Sequence, residues 1–293
     1  MTFHVMIIPT LGCQCNCKYC WGSESTKEIM DISVIDDIIT WLKDFRDDKV
    51  HFTFHGGEPL LAGYDFYAQA LEKLSKIDNV EGFSLQSNIW LLSDELIDLF
   101  LKYNVVVSTS IDGPEEINDY QRAEGYFEKT MSGYERAKEK GLNINFVLTV
   151  TQYSKDYSDE LYDFFKSNGM NLKIHAALPS LRGDNADPWA FDQEEHGKLL
   201  INWLDKYLYD LDKFSVMDLD HIAKSTFRRR GTLCTFADCI GTTLAVGADG
   251  SIYPCYRFVG MDEYILGNVK ENPSFDKLKE SDAWAKLQEF REY

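Results

Sequence analysis

Four cysteines fall within eight residues near the start of the chain, at Cys13, Cys15, Cys17 and Cys20. Three more stand at Cys234, Cys239 and Cys255. Thiolate sulfur is a soft donor that suits iron–sulfur clusters and zinc. The spacing Cys13-x3-Cys17-x2-Cys20 puts three thiols on one short loop. Three thiols hold three irons of a four-iron cluster and leave the last iron open to an exogenous ligand. A structural zinc site is the alternative, closed by Cys15 or His4, because such sites take four Cys or His donors. Disulfides fit poorly, since seven is odd and the start, MTFHVMIIPTLG, has neither the basic segment nor the long apolar run of an export signal. Among the later cysteines, Gly250 falls at the turn of a β-hairpin that would bring Cys239 and Cys255 together.

These residues need a scaffold, and the hydrophobic pattern supplies one. Apolar runs at 3–9, 50–55, 83–88, 105–111, 144–150 and 172–178 read as strands. Helical stripes lie between them: Ile35, Ile38, Ile39, Leu42 and Phe45; Leu96, Leu99 and Phe100 behind an N-cap at Ser93; and Leu161, Phe164 and Phe165. Gly141 and Gly169 sit where left-handed helix ends belong. Strands alternating with helices imply parallel pairing with right-handed crossovers, and such sheets gather ligands at the carboxyl ends of their strands. Residues 193–217 read as one more helix. From about 230 the pattern changes, and GTTLAVGADGSIYPC reads as a hairpin in a small second unit.

The first cysteine loop, with Tyr19 just before Cys20, resembles the signature of the radical S-adenosylmethionine (radical SAM) enzymes. The resemblance continues in chain order. Gly56-Gly57-Glu58-Pro59 follows the second strand as the family's GGEP does. Gln86-Ser87-Asn88 closes the third near the TN position. Ser110-Ile111-Asp112-Gly113-Pro114 closes the fourth as SxDGP does. It implies an α/β fold built on a partial (β/α)6 barrel, over residues 1–225. It implies a [4Fe–4S] cluster on Cys13, Cys17 and Cys20, with SAM chelating the open iron. One electron then cleaves SAM to a hydrogen-abstracting 5′-deoxyadenosyl radical, the cofactor carrying the difficult chemistry. By the same resemblance Tyr19 offers a face to adenine. Gly56 and Gly57 let the backbone approach the methionine ammonium, whose charge Glu58 offsets. Asn88 joins the cofactor-binding set, Ser110 and Asp112 suit the ribose hydroxyls or the methionine end, and Arg122 pairs with the methionine carboxylate. Cys15 lies outside the ligand spacing and reads as a bystander thiol.

The stretch Cys239-x10-Gly250-x4-Cys255 resembles the element that opens SPASM and twitch domains. This implies a second unit, 226–293, with an auxiliary [4Fe–4S] or [2Fe–2S] cluster on Cys234, Cys239 and Cys255; a zinc hairpin is the alternative. Only three ligands are counted where a closed cluster needs four. The sequence stops at Tyr293, after a helix-like stretch with Trp284, Leu287 and Phe290. Truncation relative to the family, a non-cysteine ligand and an open iron all remain open. Sulfatase-maturing relatives carry a basic Asp after the cysteine matched by Cys255. Here Tyr256 follows, which argues against formylglycine formation. Tyr256 is the candidate catalytic residue, donating a hydrogen or positioning substrate, or else a packing aromatic. Arg228-Arg229-Arg230 is a contact for an acidic peptide or a solvated turn.

Composition narrows the partners. The 293 residues are 44% hydrophobic, which argues against disorder, and carry a net charge of −18, which repels polyanions and argues against nucleic acid. No apolar stretch is long enough for a membrane span, so the expected compartment is the cytoplasm. The reading is a radical SAM enzyme of the peptide-modifying SPASM/twitch maturase subgroup, which includes cobalamin-locus-associated members. It would act on a ribosomally made precursor peptide, leaving a thioether, a carbon–carbon cross-link or an epimerised residue. A flavodoxin- or ferredoxin-type donor would supply the electron. Two other readings stand beside it: a twitch-type dehydrogenase of a small molecule, and a non-catalytic zinc-stapled binding protein.

Overall fold

The computed structural model describes residues 2–21, 28–45, 48–181, 187–229, 231, 233 and 239–289. Six strands run parallel: β1 (Thr2–Ile7), β2 (Lys49–Phe54), β3 (Val80–Gln86), β4 (Val106–Ser110), β5 (Ile144–Val150) and β6 (Leu172–Ala176). They pair in sequence order. The connections carry α1 (Ser33–Trp41), α2 (Gly63–Leu74), α3 (Asp94–Lys102), the pair α4 (Glu115–Gln121) and α5 (Tyr126–Glu139), and α6 (Ser158–Ser167). All six expected strands are present, and the sheet with its outer helices is the expected partial (β/α)6 barrel.

The alternation along each strand explains the layering. Phe3, Val5 and Ile7 on β1, and Val50, Phe52 and Phe54 on β2, are buried beneath the helices, with Ile35, Ile38 and Trp41 opposite them. The other face carries His4, His51 and Thr53, Ser84 and Gln86, and Ser108 and Ser110, a polar lining for the inside of the bowl, while Met6 on the same face packs against the apolar cluster around Ile8. A second cluster, with Phe146, Leu148, Tyr162, Phe165 and Trp203, closes the β5–β6 side. Ser93 caps α3 by accepting from the Leu96 N–H, and Gly141 and Gly169 take φ of 81° and 62° at helix ends.

The expected helix over 193–217 is two elements. Helix α7 (Gln193–Tyr207) stops after Tyr207, and α8 (Met217–Arg228) starts after Val216. Between them Phe214 and Val216 turn inward, and the Leu172 N–H donates to Ser215 O, so the chain comes back alongside the edge of β6. That tertiary contact is not visible in a helical stripe.

The hairpin joins the barrel sheet. Strand β7 (Thr243–Val246) pairs parallel with β1, His4 against Thr243 and Ile7 against Val246. Strands β8 (Ser251–Tyr253) and β9 (Gly267–Asn268) continue antiparallel, making nine strands in the order β6-β5-β4-β3-β2-β1-β7-β8-β9. Short helices α9 (Phe275–Lys279) and α10 (Asp282–Glu289) cover this extension. Leu244, Val246, Leu278 and Leu287 share one core with the barrel helices, and Trp41 Nε1 donates to Pro273 O at 3.0 Å.

Candidate active site at the carboxyl ends of the strands

The cysteine loop follows β1 directly and is sutured to the loop after β2. Gly57 N–H donates to Thr10 O at 3.0 Å, Glu58 N–H to Gly12 O at 2.7 Å, and Gly12 N–H to Thr10 Oγ1 at 3.0 Å. Gly56 has φ +137°, and a Cβ there would lie 2.3 Å from Thr10 O; one on Gly57 would lie 2.3 Å from both Gly12 O and Leu11 O. Two glycines are thus required by contact between backbones. Gly57→Ala should force the two loops apart, at about 1–3 kcal/mol of stability. A chemical denaturation curve and iron content per chain measure it, and the substitution should lower both.

Glu58 is buried and accepts from Leu60 N–H (2.9 Å), Ser87 Oγ (2.7 Å) and Asn88 N–H (2.8 Å). It therefore ties the ends of β2 and β3 together. Burial raises its pKa to about 7. Asn88 also donates from Nδ2 to Cys15 Sγ at 3.4 Å and accepts from Trp90 N–H. Ser110 Oγ accepts from Gln86 Nε2 at 2.9 Å on the inner wall.

The end of β4 holds a buried ion pair. Arg122 Nη2 donates to Asp112 Oδ1 at 2.8 Å, with side chains 6% and 0% exposed. Asp112 accepts further from Thr149 N–H (2.9 Å) and Tyr19 Oη (2.7 Å). Arg122 also reaches Tyr126 Oη at 3.2 Å and lies 3.9 Å from Cys17 Sγ. The sequence reading gave Tyr19, Asp112 and Arg122 separate contacts to the cofactor; in this structure they satisfy one another. Arg122 Nε is buried without a hydrogen-bond partner among the described residues, a donor left over for something beside Cys17.

On the loop itself, Lys18 N–H donates to Gln121 O and Cys20 N–H to Cys17 O, so the segment is pinned to α4 and turned back on itself. Cys15 N–H lies 3.4 Å from Cys13 Sγ, and the hydrogen bond from the Cys15 thiol holds Cys13 down at about 6 while Cys15 is raised. Cys15 is thus placed against Cys13 and Asn88. Burial, with neighbouring thiols adding, pushes Cys17 up to about 12. Among the described residues no three His, Cys, Asp or Glu side chains converge on a point that would hold a single metal ion. A four-iron cube binds each of its cysteines to a different iron, so its ligands need not converge on one point. Cys239 and Cys255 are partly buried thiols flanking the β7–β8 hairpin. Cys234, Arg230 and Phe290 lie outside the described residues.

Several residues at the site were not singled out from sequence. His55 precedes Gly56 and accepts the Gly56 N–H on Nδ1 at 2.7 Å, which leaves its proton on Nε2. Its ring lies 4.3 Å from that of Tyr256, and Tyr256 Oη donates to Gly56 O at 2.8 Å. Adjacency to the glycine pair was the available signal for His55. His175 near the end of β6 faces the bowl within electrostatic reach of His55 and Lys173. Desolvation lowers His175 and sets His55 at about 4. His175 is exposed, so the linkage rests on His55, whose ring regains about 6.5 on unfolding. The stability linked to His55 is therefore full above pH 6.5 and is lost as pH falls toward 4, because the unfolded chain takes up protons first. Glu58 acts oppositely, since its raised pKa favours the folded state below about 4.5 and that stability is lost as pH rises through about 7. Urea midpoints between pH 7.5 and 5 should drop on acidification, less in His55→Gln and more steeply in Glu58→Gln.

Comparisons with known proteins agree with this arrangement. Residues 7–165 match the model of the Radical SAM superfamily, and residues 234–293 match that of an iron–sulfur cluster-binding domain, SPASM. An uncharacterized protein of Methanothermobacter thermautotrophicus is 47% identical over 79% of this chain and 89% of its own length. A serine-type anaerobic sulfatase-maturating enzyme of Bacteroides thetaiotaomicron is 28% identical, covering 91% of this chain and 72% of that one. The cysteine-type enzyme of Clostridium perfringens is 25% identical over 89% and 75%. In fold the chain is similar to native anSMEcpe with bound AdoMet and Cp18Cys peptide, with a TM-score of 0.86, 24% identity, and 97% and 82% coverage. It is also similar to Streptococcus suis SuiB bound to precursor peptide SuiA, with a TM-score of 0.71, 16% identity, and 98% and 66% coverage.

Proposed function

We propose, for a chain that belongs to the radical SAM superfamily and carries a SPASM iron–sulfur cluster-binding domain, that it modifies a residue of a peptide by radical chemistry. Bound there, the cluster and SAM supply one-electron cleavage chemistry that yields a hydrogen-abstracting radical. The observation that carries the reading is the suture of the cysteine loop to Gly56-Gly57-Glu58, beside the Asp112–Arg122 pair and at the mouth of a polar bowl. Relatives named as sulfatase-maturating enzymes, and a fold neighbour holding a precursor peptide, support a peptide as the substrate.

In this proposal Cys13, Cys17 and Cys20 hold the radical SAM cluster. Cys234, Cys239 and Cys255 hold the auxiliary one, and residues 1–225 and 226–293 divide the work although one sheet joins them. Gly56, Gly57 and Glu58 meet the methionine ammonium. Tyr19, Asn88 and Ser110 line the nucleoside end, and Arg122, braced by Asp112, stands toward the methionine carboxylate. The inner wall of the bowl orients the peptide. Tyr256, whose hydroxyl donates to a backbone carbonyl, supplies no carboxylate base, so a thioether, a cross-link or an epimerised centre is proposed instead of formylglycine. A flavodoxin- or ferredoxin-type protein supplies the electron. Among the described residues no helix is long and apolar enough to cross a membrane.

The test is anaerobic co-expression with each short reading frame flanking the gene, followed by mass spectrometry of the peptides. Loss of two hydrogens marks a cross-link, and one deuterium gained in heavy water marks epimerisation. SAM cleavage that no flanking peptide stimulates, with no peptide altered, would move the assignment to a small-molecule dehydrogenase.

A further inference from the structure

The residue after Cys255 touches the loop that this reading gives to SAM. Tyr256 begins a short 3-10 turn (Tyr256–Phe258), and Phe258 N–H donates back to Cys255 O. Its hydroxyl donates to Gly56 O at 2.8 Å, and its ring lies 4.3 Å from that of His55. Around it a small apolar cluster joins Ile8 and Leu11, which flank the start of the cysteine loop, to Ala245, Tyr253 and Val259 of the hairpin unit. A continuous path thus runs from Cys255 through Tyr256 to Gly56. From there it passes through Gly57 to Thr10 and Gly12 and reaches Cys13. Nearby, Arg257 Nη2 donates to Pro179 O at 2.7 Å and its guanidinium lies 4.8 Å from the centre of the Trp21 ring, a second contact of the same turn with the bowl's mouth.

We propose that Tyr256 is a positioning residue that fixes the Gly56-Gly57-Glu58 loop for SAM from the auxiliary-cluster side, so that an intact hairpin unit is a condition for tight SAM binding. The physical reason is geometric. Gly56 and Gly57 have no side chains to anchor them, and the peptides on either side of Gly56 are held separately. The His55–Gly56 peptide is held through its N–H by His55 Nδ1, and the Gly56–Gly57 peptide by Tyr256 on its carbonyl and by Thr10 O on its N–H. Removing the hydroxyl leaves the Gly56–Gly57 peptide held through its N–H alone and its carbonyl without this donor. The inference rests on the reading of the loop as the SAM site.

The test uses full-length reconstituted protein with SAM alone, so no peptide substrate is required. Tyr256→Phe keeps the ring beside His55 and removes only the hydroxyl. Equilibrium dialysis should show SAM affinity weakened roughly three- to tenfold, the range one hydrogen bond spans. Iron content should match the wild type, and the change that SAM causes in the EPR spectrum of the reduced cluster should be smaller or altered. His55→Phe, which removes the acceptor of the Gly56 N–H, should act in the same direction and carries the test if Tyr256→Phe does not fold. Unchanged SAM affinity and an unchanged EPR response in a folded variant would overturn the inference while leaving the radical SAM assignment standing. A wild type that binds no SAM would overturn the assignment itself.

Discussion

Changing Cys13, Cys17 and Cys20 together to alanine is expected to lower iron from about eight to about four per chain and to reduce SAM cleavage to background. The remaining irons are those expected at the auxiliary site proposed on Cys234, Cys239 and Cys255. Cys15→Ala is the discriminating companion. Its thiol faces Cys13 and the Asn88 amide, so that variant should keep about eight irons. If Cys15→Ala loses half the iron and one of the other three single variants does not, the ligand set must be redrawn around Cys15. About four irons in the wild type falling to none would leave the auxiliary site without iron, and zinc in place of iron would remove the enzymatic reading altogether.

The barrel was legible because its strands and helices have strong and distinct periods. The ends of the strands were legible because Gly-Gly-Glu-Pro and Asp-Gly-Pro are local signals. What the sequence hid was long-range. The β7–β8 hairpin reads as a separate unit because a period-2 run says nothing about its neighbour, yet β7 pairs with β1 and extends the barrel sheet. The break between α7 and α8 arises because Phe214 and Val216 are held by β6. In the site, residue types were legible but pairings were not. Asp112 and Arg122, ten residues apart, read as separate ligand contacts, whereas the turn after β4 and the helix α4 that follows it bring them together as one buried pair. Tyr256 reads as a catalytic candidate or a packing aromatic, and neither reading contains its contact with a backbone carbonyl 200 positions away in sequence.

The Asp112–Arg122 pair carries the largest expected effect on stability. With Asp112 fully buried and Arg122 nearly so, Asp112→Ala leaves a guanidinium without its counter-charge, at about 3–5 kcal/mol. Urea denaturation of the full chain measures this, and a loss under 1 kcal/mol would mean that water reaches Arg122. Asp112→Asn separates charge from shape. Its amide oxygen can accept from Arg122 and the Thr149 N–H, and Tyr19 can reverse its hydroxyl to accept from the amide nitrogen. Stability should therefore fall less than in the alanine variant. Arg122 would then present its whole positive charge 3.9 Å from Cys17 Sγ, no longer offset by a carboxylate. Positive charge beside a thiolate ligand favours the reduced cluster, so the midpoint potential should move upward in Asp112→Asn and downward in Arg122→Gln. Potentials followed by EPR would show opposite shifts if the pair tunes the cluster. Equal potentials in both variants would confine its role to holding the end of β4.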